Sequence, residues 1–194
     1  MVAVLCAFFL GVAPVALSAD IGGYLEDQAQ REKSREQLSA FDEMVVLARD
    51  GDIDSQYRLG MAHRNGWGTA KDPIAAATWL REAADRGHAR AQYVLGILYE
   101  LGEGVPPSDA RAREWYEKAA RQGHVEAQVG LAALLVNSKP SESALAEAFM
   151  WYEIAAGTGN LSAERGRISL EKRLPDSVVA DVRQRASDWR PSIQ

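Results

Sequence analysis

Cysteine is almost absent from this chain: the single Cys6 among 194 residues lies in an apolar segment at the start. No disulfide can form within the chain, and the remainder offers no thiolate as nucleophile or zinc ligand. Positive charge is also in short supply. Against 27 Asp and Glu stand 22 Lys and Arg, a formal net charge of -5 with a pI near 5.3. That balance argues against nucleic acid or an anionic membrane surface as partner, since both reward clustered Lys and Arg. Histidine occurs three times, and His-x-x-x-His, Cys-x-x-Cys, phosphate-loop and nucleophile-elbow patterns are missing. The sequence therefore gives no support to a metal site, a cofactor or a hydrolytic centre.

Long hydrophobic runs are lacking except for one, residues 1–19 (MVAVLCAFFLGVAPVALSA), which carry no charged side chain and end in small residues. The segment reads as a signal peptide cleaved after Ser18 or Ala19, which predicts a secreted or periplasmic protein. As a helix it would reach about 28 Å, barely a membrane span, so anchoring to the inner membrane by residues 1–19 is the alternative. The Val4-Leu5-Cys6 sequence lacks the small residue that a lipoprotein site has before its cysteine.

What the chain has in abundance is repetition. At steps of 36 residues glycine returns at Gly51, Gly87, Gly123 and Gly159, and tryptophan at Trp79, Trp115 and Trp151. Glutamine recurs at Gln56, Gln92 and Gln128, and leucine at Leu59, Leu95 and Leu131. Paired alanines follow each of these tryptophans four and five residues later. Each unit contains two stretches with helical spacing. In the first, residues 89–100, Ala91, Leu95 and Leu98 form an apolar stripe. In the second, residues 109–122, Ala112, Trp115, Tyr116, Ala119 and Ala120 do the same. A helix hairpin per unit is the expectation, closed by Gly87 or Gly123 just past a helix end, where a left-handed backbone suits glycine. The alanines permit close approach of helices, and the tryptophans fill the space beside them.

The segment AQYVLGILYELGEGVPPSDARAREWYEKAARQGH, residues 91–124, resembles the Sel1-like repeat, a relative of the tetratricopeptide repeat with a slightly longer unit. The resemblance implies an all-α fold, a right-handed α-α superhelix of helix hairpins with a 36-residue period. It places a repeat domain at residues 38–190, after a linker or helix start at 20–37. That domain comprises a half-unit at 38–51, full units at 52–87, 88–123 and 124–159, and capping helices at 160–190. In the third unit Ala132 replaces the expected glycine and Ser138-Lys139-Pro140 replaces Gly-x-Gly, so that turn must be built differently.

Candidate catalytic groups do not assemble. His88 and His124 share one lattice position after the inter-repeat glycine, and His63 occupies the slot of Tyr99 and Leu135. Ser55, eight residues before His63 on one predicted helix, sits about 12 Å away along the axis, too far for a nucleophile–base hydrogen bond. The chain reads as a non-catalytic scaffold. By analogy with tetratricopeptide solenoids, the first helix of each hairpin lines a concave face that holds a protein or peptide. Tyr57, Met61 and Arg64 fall there in unit one, and Arg90, Tyr93, Ile97 and Glu100 in unit two. Aromatic and aliphatic residues with Arg and Glu beside them suit a polypeptide contact. The competing reading of Tyr57 and Tyr93 is packing against the neighbouring repeat. Trp67, between two turn glycines, reads equally as an exposed anchor or a lid over its own hairpin. Some cysteine-rich relatives act on cell-wall or β-lactam-like compounds, which makes an envelope enzyme or binding protein of that kind the rival function.

Overall fold

The computed structural model describes residues 14–138 and 140–191, with the side chains of 14–22 and 33–39 set aside. Most of residues 1–19, the stretch read as a signal peptide, Cys6 included, therefore lies outside the described residues. Among the described residues there are nine helices and no strand. None of those helices is long and apolar enough to cross a membrane.

The chain divides into two units, Met1–Glu43 and Met44–Gln194. The first is the greater part of α1 (Pro14–Arg49), which runs through the stretch 20–37 and its Gly22-Gly23 pair. Tyr24 and Leu25 are exposed along it, and Arg31 pairs with Asp27 one turn earlier at 2.8 Å.

The second unit begins with the end of α1 and continues as hairpins. They are α2 (Ile53–Asn65) with α3 (Pro73–Asp85), α4 (Ala89–Leu101) with α5 (Asp109–Arg121), and α6 (Val125–Asn137) with α7 (Glu142–Ala156). Two further helices, α8 (Leu161–Glu171) and α9 (Asp176–Asp188), pack on α7. Each second helix also packs on the first helix of the next hairpin, α3 on α4 and α5 on α6. The helix hairpins expected from the 36-residue lattice form, stacked as the all-α solenoid that the resemblance implies.

The small residues do what their size dictates. Ala83, Ala84, Ala119, Ala120 and Ala155 are buried in the seam between hairpins. At Gly96 an added Cβ would lie 2.5 Å from the Tyr116 ring, so only glycine lets α5 seat that ring against α4. Trp115 and Trp151 are buried, and Trp151 meets Trp189 edge-on at 6.1 Å, so the closing helix extends the indole row. Trp79 is only half-buried, so the three lattice tryptophans are not equally enclosed.

Polar residues at fixed lattice positions stitch consecutive units. The amides of Gln56, Gln92 and Gln128 each donate to a carbonyl eight residues earlier, that of Ala48, Ala84 and Ala120, at 3.0–3.2 Å. Each is a second bond to a carbonyl near the end of the preceding helix, which also accepts the backbone N–H of Gly51, Gly87 or Gly123. The third hairpin departs from the pattern. Only residues 138–141 connect α6 to α7, and α7 has 15 residues where α3 and α5 have 13. Its turn closes through Ser138 at φ -88° in place of the left-handed Gly66 and Gly102 of the first two.

Candidate partner-binding face

The first helices α2, α4 and α6 carry the residues singled out in the sequence. Each starts at a side-chain cap on the same lattice position: Asp52, His88, His124 and, for α8, Asn160. The imidazoles of His88 and His124 accept, through Nδ1, the backbone N–H of Ala91 at 3.0 Å and Ala127 at 3.3 Å. They stand in for the oxygen of an ordinary N-cap. This fixes their tautomer, with the remaining proton on Nε2. In His88, Nε2 faces Asp54 Oδ1 at 3.2 Å.

The same rings meet the tyrosines of the preceding hairpin. Tyr57 stacks on His88 with centroids 4.6 Å apart, and Tyr93 stacks on His124 at 4.9 Å, with the Tyr116 ring 5.9 Å away. Tyr57 and Tyr93 are therefore held between consecutive units while remaining half-buried, so seam packing and surface display coexist. Burial, then Glu126 and Glu100, raises the Tyr93 phenol above its ordinary range. Burial and the hydrogen bond from its hydroxyl to Glu100 at 2.6 Å raise Tyr116 much further. Both phenols stay neutral, and Tyr116 keeps the proton that it donates to Glu100. For His124, burial outweighs the nearby Glu126 carboxylate and lowers the imidazole below its ordinary value.

Of the remaining candidates, Arg64 donates to Glu103 at 3.0 Å in the next hairpin's turn, which fixes its guanidinium. Met61 and Ile97 are partly buried and pack on the core. Arg90 and Glu100 are exposed. In the third hairpin Glu126 and Asn137 are exposed, while Val129 and Ala133 are half-buried. Trp67 lies away from this row, in the α2–α3 turn, with its side chain 63% exposed. The structure thus joins Tyr93, Glu100, Tyr116, His124 and Glu126 into one cluster. Tyr57, His88 and Asp54 form a second.

The shared lattice position of the two histidines after the inter-repeat glycine does not by itself reveal their capping role. The signal was present: Asp52 and Asn160, both ordinary cap residues, share their lattice position. Ser55 is buried and His63 half-buried, both within α2. Among the described residues no group of three His, Cys, Asp or Glu side chains is placed to hold a metal. A groove of about 500 Å³ opens between the α6 N-terminus, the end of α7 and Ala186 to Pro191, lined among others by Gln128, Arg183 and Trp189.

The Sel1 repeat family model matches residues 53–88, 89–124 and 125–160, one residue on from the units read from the glycine lattice. Among solved structures, the chain is similar to c5321, a protective antigen of uropathogenic Escherichia coli with an SLR fold, at 28% identity and a TM-score of 0.69. That match covers 78% of this chain and 33% of the antigen, so the chain spans about a third of that protein's length. It is also similar to a Sel1 repeat protein from Oxalobacter formigenes, at 32% identity and a TM-score of 0.58, over 66% of this chain and 96% of the other. Among curated protein sequences none matches at a significant level. With three consecutive repeats matched over more than half of its length, the chain belongs to the Sel1 repeat family.

Proposed function

We propose that this protein is a non-catalytic docking scaffold of the cell envelope that holds a protein or peptide along the face of α2, α4 and α6. Sel1 repeat proteins generally mediate protein–protein interaction, which supplies the class of function. The observation that carries the choice of face is the pair of stacked rings, Tyr57 on His88 and Tyr93 on His124, flanked by exposed Arg90 and Glu100. Rings already fixed by stacking lose little side-chain freedom when a partner settles on them, the property that makes rigid aromatics effective anchors. Arg90 and Glu100 add charges of both signs at the edge, suited to selecting a partner rather than to holding it. The uncharged segment 1–19 is the support for an envelope location.

The test is crosslinking and mass spectrometry in intact cells, comparing the wild type with an Arg90→Ala/Tyr93→Ala variant whose helix content is verified by circular dichroism. Loss of a major crosslinked polypeptide by about tenfold or more supports this face. Undiminished capture by a folded double variant overturns it.

A further inference from the structure

Near the C-terminal end of α4, two guanidinium groups converge on one buried phenol. Tyr99, 2% exposed, accepts from Arg81 Nη2 at 2.6 Å and from Arg111 Nη1 at 3.1 Å. Arg81 comes from α3 and Arg111 from α5. The two nitrogens share one oxygen, so they lie no further apart than the sum of those two distances. Each guanidinium carbon also lies over the Tyr99 ring, at 5.9 and 5.4 Å from its centroid. Both arginines are exposed, and among the described residues no carboxylate forms an ion pair with either. Asp85, one helical turn beyond Arg81, and Glu114, three residues beyond Arg111, both leave them unpaired. The Tyr99 hydroxyl accepts from both arginines, so its own proton is still available to an acceptor. Each guanidinium spends one N–H on the phenol oxygen and keeps others, so two exposed cations with free donors are gathered around one hydroxyl.

The next interval of the lattice shows how such a site is completed. One repeat on, the positions of Arg81 and Arg111 are held by Glu117 and Glu147, and that of Tyr99 by Leu135. Arg113 bridges these two acids, with Nε to Glu117 at 2.8 Å and Nη2 to Glu147 at 3.0 Å. There the chain supplies the counter-charge itself. In the Arg81–Arg111 interval, the position matching Arg113 is Ala77, a buried methyl, so the bridge between two like charges is missing.

We propose that Arg81, Arg111 and Tyr99 form a binding site for an oxyanion, a carboxylate or a phosphate group, which bridges the two guanidiniums as Arg113 bridges Glu117 and Glu147. Guanidinium forks match the paired oxygens of either group, and charge-assisted bonds of this kind are the strong ones. The site is separate from the face of α2, α4 and α6 and does not depend on its role.

The experiment titrates the full chain with sodium phosphate and, separately, with sodium acetate, against sodium chloride at matched ionic strength, following the arginine Nε–Hε signals by NMR. The expected result is a saturable shift of the Arg81 and Arg111 signals together. Arg81→Gln or Arg111→Gln should weaken binding by about tenfold or more, and Tyr99→Phe by a few-fold. Tighter binding of phosphate identifies a phosphorylated group as the ligand, and tighter binding of acetate a carboxylate side chain or terminus. Arg111→Glu, which places an anion beside Arg81, should abolish phosphate binding and raise Tm. Shifts that rise linearly and match those in chloride, or an unchanged curve in Arg81→Gln, overturn the proposal.

Discussion

Replacing Gly104 and Gly159 by alanine separates two costs that a left-handed glycine can carry. Both have positive φ, +70° and +86°, so an added Cβ at either position costs about 1 kcal/mol in backbone strain. At Gly159 nothing lies within 4 Å of the Cβ position, and the loss ends there. At Gly104 the Cβ would overlap the Pro73 carbonyl and approach the Ile74 nitrogen to 3.0 Å. These are backbone atoms in the first turn of α3, which no rotamer change can move aside. The α4–α5 turn must therefore lift off α3, which gives up the 3.0 Å bond between Arg64 and Glu103 and displaces Val105 from the core. We expect a loss of about 1 kcal/mol for Gly159→Ala and about 3–4 kcal/mol for Gly104→Ala. For a chain of this size each kcal/mol moves Tm by about 2–4 °C, so calorimetry should show drops of about 3 °C and about 10 °C. Hydrogen exchange should place the larger loss in α3, α4 and α5, because damage to a solenoid stays with a repeat and its neighbours. Equal drops in Tm would refute the claim that close approach, more than dihedral strain, makes Gly104 irreplaceable.

Two further outcomes test the seams between hairpins. The neutral His124 imidazole is the form that caps α6, and burial keeps it below its ordinary value of 6.5. As pH falls through about 6.5 the unfolded chain takes up the proton first, so this contribution is complete above that pH and is lost as pH drops towards the folded-state value. His124→Asn, the cap used at Asn160, should flatten the dependence of Tm on pH between about pH 7 and about pH 5; an unchanged slope would count against the capping argument. Gln92→Leu removes a bond to Ala84 and strands the Gln122 amide, which donates to Gln92 at 2.7 Å. Gln128→Leu removes one bond but also a buried oxygen that has no hydrogen-bond partner. Urea titration should show about 1–2 kcal/mol lost in the first and about 1 kcal/mol or less in the second.

The lattice made the hairpins legible because glycine, alanine and tryptophan each answer to one geometric demand. The two helices of the second hairpin begin where the periodicity put them and end within a residue of it. Residues 89–100 became Ala89–Leu101, and 109–122 became Asp109–Arg121. The departure at Ser138-Lys139-Pro140 announced a different third turn, but not that α7 would start three residues early on the lattice. The candidate face was legible by position and not by contact. That Arg64 would be tied to Glu103, or Glu100 to the Tyr116 hydroxyl, depends on side-chain reach between repeats, which a single period does not reveal. The histidine caps escaped for a chemical reason: imidazole is not among the usual capping groups, and only its alignment with Asp52 and Asn160 exposes the role. The Arg81–Tyr99–Arg111 cluster is harder still, since its members come from three helices and its meaning appears only beside the inverted charges at Glu117 and Glu147.

The glutamine stitches have a consequence for how such a chain changes length. The two junctions that flank the second hairpin present identical mating chemistry: a glycine exit, a capping imidazole, an amide reaching back eight residues and a tyrosine stacked on that imidazole. Excising residues 88–123 would bring Gly87 directly to His124, leaving Gln128 to find Ala84 and Tyr57 to find His124. Nothing at the new join would be foreign to the fold. Genes for such proteins can thus gain or shed whole units by unequal recombination with both ends still fitting, while the span available to a partner lengthens or contracts by one hairpin at a time.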